Sequence, residues 1–101
     1  SGNISITLVA NPVKLAELWP TVEDGFVHVL RNSHGDETLN TVLSYLFSGV
    51  LFIWIIEDDD KYVGFFTTKK VLEQYKDKQV GALVVDHMYC VPKEYNSKVR
   101  K

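Results

Sequence analysis

The stretch "IWIIEDDDKYVGFFTT", residues 53–68, predicts two antiparallel strands joined by a tight acidic turn. The segment "LFIWIIE" (51–57) is apolar at nearly every position, as in a strand that is covered on both faces. The residues "DDDK" (58–61) are typical of a turn, and "KYVGFFTT" (61–68) has the composition of the partner strand. A hairpin of this kind indicates an antiparallel sheet.

The chain before the hairpin predicts one strand and two helices. "ISITLVA" (4–10) alternates apolar and small polar residues, which favours a strand with one buried face. Asn11 and Pro12 are typical of a helix start, and helical spacing follows them. We expect Pro20 to cause a kink or to separate two abutting helices. A further helix is predicted to begin near Asp36 and to end at Gly49.

The chain after the hairpin predicts a long fourth strand. "KKVLEQYKDKQ" (69–79) is polar and fits either a short helix or a long connection. "VGALVVDHMYCV" (80–91) is apolar on both faces, which favours a central position in the sheet. The order predicts an α+β fold, a mostly antiparallel sheet with two N-terminal helices packed on it, forming a single domain over residues 1–101.

The composition limits the classes of function. Of the 101 residues, 46% are hydrophobic and 24% charged, as in an ordinary globular domain. The net charge of −2 argues against a nucleic-acid partner, and the apolar run at 49–56 is too short to cross a membrane. The single cysteine permits no intrachain disulfide, which fits a reducing compartment. We expect a cytoplasmic protein.

Charge is distributed unevenly along the chain. Residues 93–101 carry a net charge of +3, which leaves −5 for the first 92 residues. A basic segment beside an acidic body fits either an anion-binding site or a solvated tail.

Three segments together resemble the GNAT superfamily of acyl-CoA-dependent N-acyltransferases. The hairpin, with its acidic turn followed by Val63-Gly64-Phe65, is similar to the family's second and third strands. "ALVVDHMYCVP" (82–92) resembles its fourth strand, and "PKEYNSK" (92–98) the start of its coenzyme pyrophosphate loop. The resemblance spans about residues 4–101 and extends to phage-type members. It implies a domain that is incomplete at residue 101, because the family fold continues beyond this loop.

The resemblance implies acetyl transfer from acetyl-CoA to an amine on a small molecule or a protein. The positions matching the pyrophosphate loop are Asn96, Ser97, Lys98, Val99 and Arg100. No glycine follows Gly81, so phosphate binding there would depend on side-chain charge rather than on close backbone approach. The positions whose backbone would hold the pantetheine arm are Met88, Tyr89, Cys90 and Val91.

The candidate catalytic residues are Asp86, His87 and Tyr89. Deprotonation of an acceptor amine needs a general base, for which Asp86 and His87 are candidates on opposite faces of the strand. Asp86 shares its face with apolar residues, and an apolar setting makes a carboxylate a stronger base. Tyr89 is a candidate proton donor to the leaving thiolate. A purely structural role is the alternative for each of them.

We predict no metal site. His87 and Cys90 have a spacing that suits two ligands, but the sequence places no further ligand beside them. Cys90 is predicted to be a buried thiol. Trp19, Trp54 and the Phe65-Phe66 pair are predicted core residues.

The alternative function is a non-catalytic GNAT-like module in a larger assembly such as a phage particle, in which case the protein would be virion-associated. The glycine-free loop favours this alternative. An apolar fourth strand with no following strand would pair with another chain. We therefore expect a homo-oligomer or a strand-sharing partner.

Overall fold

The computed structural model describes residues 2–31 and 37–92. Within these ranges, two helices pack on one face of a four-stranded antiparallel sheet, which confirms the predicted α+β class. The elements in chain order are β1 (Ile4–Val9), α1 (Pro12–Arg31), α2 (Leu39–Ser48), β2 (Leu51–Asp58), β3 (Lys61–Tyr75) and β4 (Lys78–Cys90). The spatial order of the strands is β1-β2-β3-β4.

Helix α1 begins where the sequence predicts. The Asn11 Oδ1 atom accepts hydrogen bonds from the N–H groups of Val13 at 2.9 Å and Lys14 at 3.2 Å. These bonds satisfy two backbone donors of the first turn. One helix runs through Pro20, which excludes two abutting helices and leaves the alternative, a kink at Pro20, as a prediction.

Helix α2 is capped at both ends. The Thr38 hydroxyl accepts a hydrogen bond from the Thr41 N–H at 3.3 Å, so the helix begins at Leu39, a little later than predicted. Gly49 ends the helix in the left-handed conformation, with φ of 79°, as the sequence predicted. Neither described helix is both long and apolar enough to cross a bilayer.

Two tight turns build the β2–β3–β4 meander. Asp59 and Asp60 have φ of 51° and 67°, which suits the predicted turn between β2 and β3. The interpretation of residues 69–79 as a helix or a long connection was wrong. Strand β3 continues to Tyr75, and Lys76, with φ of 58°, begins a two-residue turn into β4.

The core lies between the helices and one face of the sheet. Its fully buried side chains include Val22, Phe26, Val42, Ile53 and Phe65. Phe26 and Phe65 join helix to sheet, with ring centroids 4.4 Å apart.

The opposite face of the sheet is uncovered by the described elements, and we call it the open face. It includes exposed apolar side chains from both outer strands, namely Ile4, Ile6, Leu8, Leu83, Val85 and Met88. The prediction that the apolar face of β1 is buried was therefore wrong. Trp54 and Phe66 stack on each other on the open face, with centroids 5.8 Å apart, rather than in the predicted core.

The prediction that the fourth strand is central was also wrong for the described sheet. Strand β4 pairs with β3 on one side and forms an edge on the other. Apolar residues occur on both faces of β4. Those on the same face as Met88 belong to the open face, and Tyr89 on the other face packs against the core. An edge strand with this composition offers unpaired backbone groups to a ligand or another strand.

Candidate functional site

A bulge in β4 positions the candidate catalytic residues. Thr67 lies opposite His87, but Thr68 lies opposite Val85, which leaves Asp86 without a partner in β3. Bulges interrupt the regular alternation of a strand and redirect side chains. The Asp86 Oδ2 atom consequently lies 3.9 Å from the His87 Nδ1 atom, so the predicted separation of these residues on opposite faces was wrong.

His87 is the buried centre of a polar group that we call the His87 cluster, consisting of Glu37, Thr67, Asp86 and His87. The His87 side chain is only 5% exposed. Its Nε2 atom lies 2.6 Å from Glu37 Oε1, and its Nδ1 atom lies 2.7 Å from Thr67 Oγ1. The backbone N–H of His87 donates to the same Thr67 oxygen at 3.0 Å. Both ring nitrogens are thus engaged within the protein.

The donors and acceptors in this cluster can be assigned from chemistry. An ionised carboxylate only accepts hydrogen bonds, so the His87 Nε2 carries a hydrogen and donates to Glu37. In the neutral ring, Nδ1 is then an acceptor, and the Thr67 hydroxyl donates to it. Thr67 still accepts from the His87 backbone N–H, so each of these polar groups is satisfied.

Asp86 has a more polar environment than predicted. The residue is exposed, and its Oδ2 atom lies 3.7 Å from the Lys69 ammonium. In a regular strand, Asp86 would lie among the apolar side chains of one face. The bulge and the edge position of β4 move the Asp86 side chain away from them. The Asp86 and Glu37 side chains are 29% and 26% exposed, so both carboxylates reach solvent, whereas His87 is the shielded imidazole.

Glu37 and Thr67 are members of the site that sequence reasoning missed. Glu37 precedes the helix cap Thr38, where an acidic residue is common for helix reasons alone. It meets His87 across 50 positions of the chain, and Thr67 does so across 20. Only the sheet register brings these side chains together.

The ionisable groups of the cluster also have metal-ligand character. Ligand-type atoms of Glu37, Asp86 and His87 lie within 4.8 Å of one another. Each already has a partner, because Glu37 and His87 bind each other and Asp86 contacts Lys69. Cys90, the other residue considered as a ligand, is exposed opposite Gly64. The prediction of a buried thiol was wrong, since a glycine offers no side chain to cover it.

The end of β4 presents its backbone to the outside of the sheet. The N–H groups of His87 and Val91 both bond toward β3, to Thr67 Oγ1 and to the Val63 carbonyl. Backbone groups alternate in direction along an antiparallel strand, so the N–H groups of Met88 and Cys90 point outward. The resemblance implies the backbone of Met88, Tyr89, Cys90 and Val91 for a pantetheine arm, and of these four only Met88 and Cys90 direct their N–H groups outward.

Two tyrosines line the helix side of the same region. Tyr89 is half-buried, and its ring packs against those of Phe65 and His28, at 5.8 Å and 5.7 Å between centroids. The Tyr62 hydroxyl is buried without a hydrogen-bond partner in the described part of the chain. Burial, with smaller contributions from Tyr89 and Cys90, raises the pKa of Tyr62 to about 12.

The predicted phosphate-binding residues, Asn96, Ser97, Lys98, Val99 and Arg100, lie outside the described residues. Their role stays a prediction. Comparisons with protein-family models, with curated proteins and with solved structures found no match to this chain.

Proposed function

We propose that the chain belongs to an acyl-CoA-dependent N-acyltransferase that transfers an acetyl group from acetyl-CoA to an amine. The observation that carries this proposal is a juxtaposition along β4. The outward backbone groups of Met88 and Cys90 directly follow a cluster in which two carboxylates lie beside an imidazole. An edge strand can hold the amides of a pantetheine arm, and neighbouring carboxylates suit a protonated amine.

An ammonium group already occupies this environment. The Lys69 Nζ lies 3.7 Å from Asp86 Oδ2, where an acceptor amine would approach. Asp86 is the general base in this proposal because it is exposed, whereas His87 is buried with both ring nitrogens engaged. His87 and Glu37 are positioning residues that hold the bulged segment.

The reaction would follow the ordinary course of thioester aminolysis. Asp86 takes a proton from the acceptor ammonium, and the free nitrogen attacks the thioester carbon. The carbon–sulfur bond then breaks, and the departing thiolate takes a proton, for which Tyr89 is the candidate donor. The nitrogen releases its second proton to solvent as the amide forms, and Tyr89 regains a proton from solvent. In this proposal Lys98 and Arg100 supply positive charge to the coenzyme phosphates.

Calorimetric titration with acetyl-CoA tests the binding step. Met88→Pro removes an outward N–H from the edge without removing a bond to β3, and Met88→Ala is its matched control. We expect Met88→Pro to weaken acetyl-CoA binding more than about tenfold and Met88→Ala to change it less than about threefold. Absence of binding at about 1 mM acetyl-CoA, or equal losses in both variants, would contradict the proposal.

Release of free coenzyme A thiol in the presence of a panel of primary amines tests the chemical step. We expect Asp86→Asn to lower turnover by about 10²-fold or more while acetyl-CoA binding persists, because proton transfer contributes about 10²–10⁴-fold. Unchanged turnover in Asp86→Asn would exclude this residue as the base.

The second candidate is a non-catalytic module that docks in a larger assembly. The open face favours it, because Ile4, Ile6 and Met88 are 56%, 53% and 58% exposed. This candidate predicts no acetyl-CoA binding, so the same titration distinguishes it from the first.

A further inference from the structure

The far part of the β3–β4 hairpin, residues 70–83, forms a two-stranded ribbon that we call the arm. It contributes no residue to the buried core. Leu72, Tyr75 and Leu83 on the arm are 70%, 63% and 64% exposed. The molecule measures 54 × 30 × 29 Å, so it is elongated in one direction. An isolated two-stranded ribbon is only marginally stable in water, so a partner on the arm would stabilise it.

The outer edge of β4 is where such a partner can bind. Along the arm, β4 pairs with β3 from Lys78 to Leu83, and its other edge pairs with none of the described strands. An unpaired edge of this length is a template for another strand. Gly81 and Ala82 are small and lie at the middle of the stretch between Lys78 and Asp86, so they leave room for close approach.

We propose that this edge pairs antiparallel with the same edge of a second copy of the chain. The two-fold axis passes beside Ala82, so that each Ala82 faces its counterpart. Such an interface is self-complementary, because every contact occurs twice. The remaining facing pairs are Lys78 with Asp86, Gln79 with Val85, Val80 with Val84, and Gly81 with Leu83.

Charge complementarity selects this register. Lys78 lies four residues before Ala82 and Asp86 lies four residues after it. Antiparallel pairing about Ala82 therefore brings Lys78 of each copy to Asp86 of the other. Asp86 is exposed. Within its own chain, its Oδ2 atom lies 3.7 Å from the Lys69 Nζ atom, which is long for an ion pair. Opposite charges that face each other across strands stabilise pairing.

The neighbouring registers are less favourable. A shift of the axis to Leu83 places Asp86 opposite Val80, and a shift to Gly81 places it opposite Lys76 in the turn. A register that is offset by a single residue reverses the faces of the partner strand. With the axis at Ala82, the Leu83 side chain lies over Gly81 of the other copy, which has no side chain to oppose it.

The bulge at Asp86 ends the interface, which spans Lys78 to Asp86. Regular pairing ends at a bulge, so Met88 and the residues after it stay outside the interface. The dimer leaves the outward N–H groups of Met88 and Cys90 free, so it permits acetyl-CoA binding. It places Lys78 of the other copy beside Asp86, so we expect dimerisation to compete with an acceptor amine for this carboxylate.

A charge exchange tests the register. We expect sedimentation equilibrium to show a dimer for the unmodified chain, with Lys78→Glu or Asp86→Lys weakening association at least tenfold. The double variant Lys78→Glu/Asp86→Lys should recover most of the affinity. Within one chain the two residues are about 26 Å apart along the strand, so recovery can arise only between copies. A monomer at about 200 μM, or a double variant no better than the single ones, would overturn the proposal.

Cross-linking provides a second measurement that does not rely on charge. In a Cys90→Ser background, Ala82→Cys should form an intermolecular disulfide under mild oxidation, because facing residues have Cβ atoms about 4.5–5.5 Å apart. Val71→Cys in the same background is the matched control, since Val71 pairs with Ala82 one strand away from the edge. Equal cross-linking of both variants, or none at Ala82→Cys, would argue against the axis.

Discussion

The His87 Nε2 atom lies 2.6 Å from Glu37 Oε1 and joins the outer strand of the sheet to the segment that precedes α2. The His87 side chain is 5% exposed and that of Glu37 is 26% exposed. The contact therefore links a buried donor to a carboxylate that reaches solvent. It fixes the part of β4 on which the proposed site is built.

Removal of the Glu37 carboxylate should destabilise the protein. We expect Glu37→Ala to lower the free energy of unfolding by about 1–3 kcal/mol, because the buried Nε2–H of His87 loses its acceptor. Glu37→Gln keeps an oxygen acceptor and should cost less than about 1 kcal/mol. Urea unfolding monitored by tryptophan fluorescence measures both. Equal losses in the two variants would show that the hydrogen bond is not the source of the stability.

The Tyr62 hydroxyl should make the protein less stable in alkali. Burial raises its pKa from 10.0 to about 12, so above pH 10 the unfolded chain loses this proton while the folded chain keeps it. Stability therefore falls as the pH rises from 10 to 12. A shift of this size would correspond to about 2.7 kcal/mol for a fully buried group. Tyr62 is only half-buried, so solvent screening reduces the expected effect to about 1 kcal/mol.

Tyr62→Phe tests this expectation. The variant should be as stable as the parent at pH 7, or slightly more so, because the hydroxyl has no partner in the described structure. It should also show a smaller loss of unfolding free energy between pH 10 and 12. Tyr75→Phe is the matched control, because Tyr75 is 63% exposed. Parallel pH profiles for the parent and Tyr62→Phe would rule out Tyr62 as the cause.

The absence of a side chain at Gly25 allows α1 to approach the sheet closely. A Cβ atom at this position would lie 2.6 Å from Phe65 Cε2 and 2.7 Å from Tyr89 Cδ2. Alanine in a helix interior is ordinarily better than glycine by about 1 kcal/mol. Here we expect Gly25→Ala to destabilise the protein by about 1–3 kcal/mol, because the rings must move. Thermal unfolding measures the change, and an increase in stability would show that the rings adjust freely.

Pro20 is an exposed position where a stabilising substitution is available. The residue lies inside α1, where proline supplies no N–H to the carbonyl four residues earlier. We expect Pro20→Ala to raise the free energy of unfolding by up to about 3 kcal/mol. Denaturant unfolding provides the measurement, with Ala16→Ser on the same helix as a mild control. A loss of stability in Pro20→Ala would mean that proline at this position contributes to packing or to helix geometry.

Local sequence patterns predicted the elements well. The start of α1 was predicted from Asn11 and Pro12, the end of α2 from Gly49, and the first hairpin turn from the aspartates at 58–60. Each of these residues acts on the backbone of its immediate neighbours. The second turn was missed. Lys76 adopts a left-handed conformation that its residue type does not indicate.

Layer and site assignments needed information that one sequence does not contain. The alternation of Ile4, Ile6 and Leu8 indicates a two-faced strand, but it cannot say which face the helices cover. Asp86 and His87 were identified as candidates from the resemblance, and the structure places them together. Their relationship depends on a bulge and on Glu37, and both follow from pairing between distant segments.

The position of β1 has a consequence for the order of folding. Strands β2, β3 and β4 are joined by two-residue turns and can pair as soon as each hairpin closes. The loop that closes when β1 pairs with β2 contains both helices, since Val9 pairs with Ile53. Closure of such a long loop costs entropy before any contact repays it. We therefore expect the meander to form early and the N-terminal strand to join late, which makes β1 exchange its amide hydrogens before the core-facing parts of β2 and β3 in the native state.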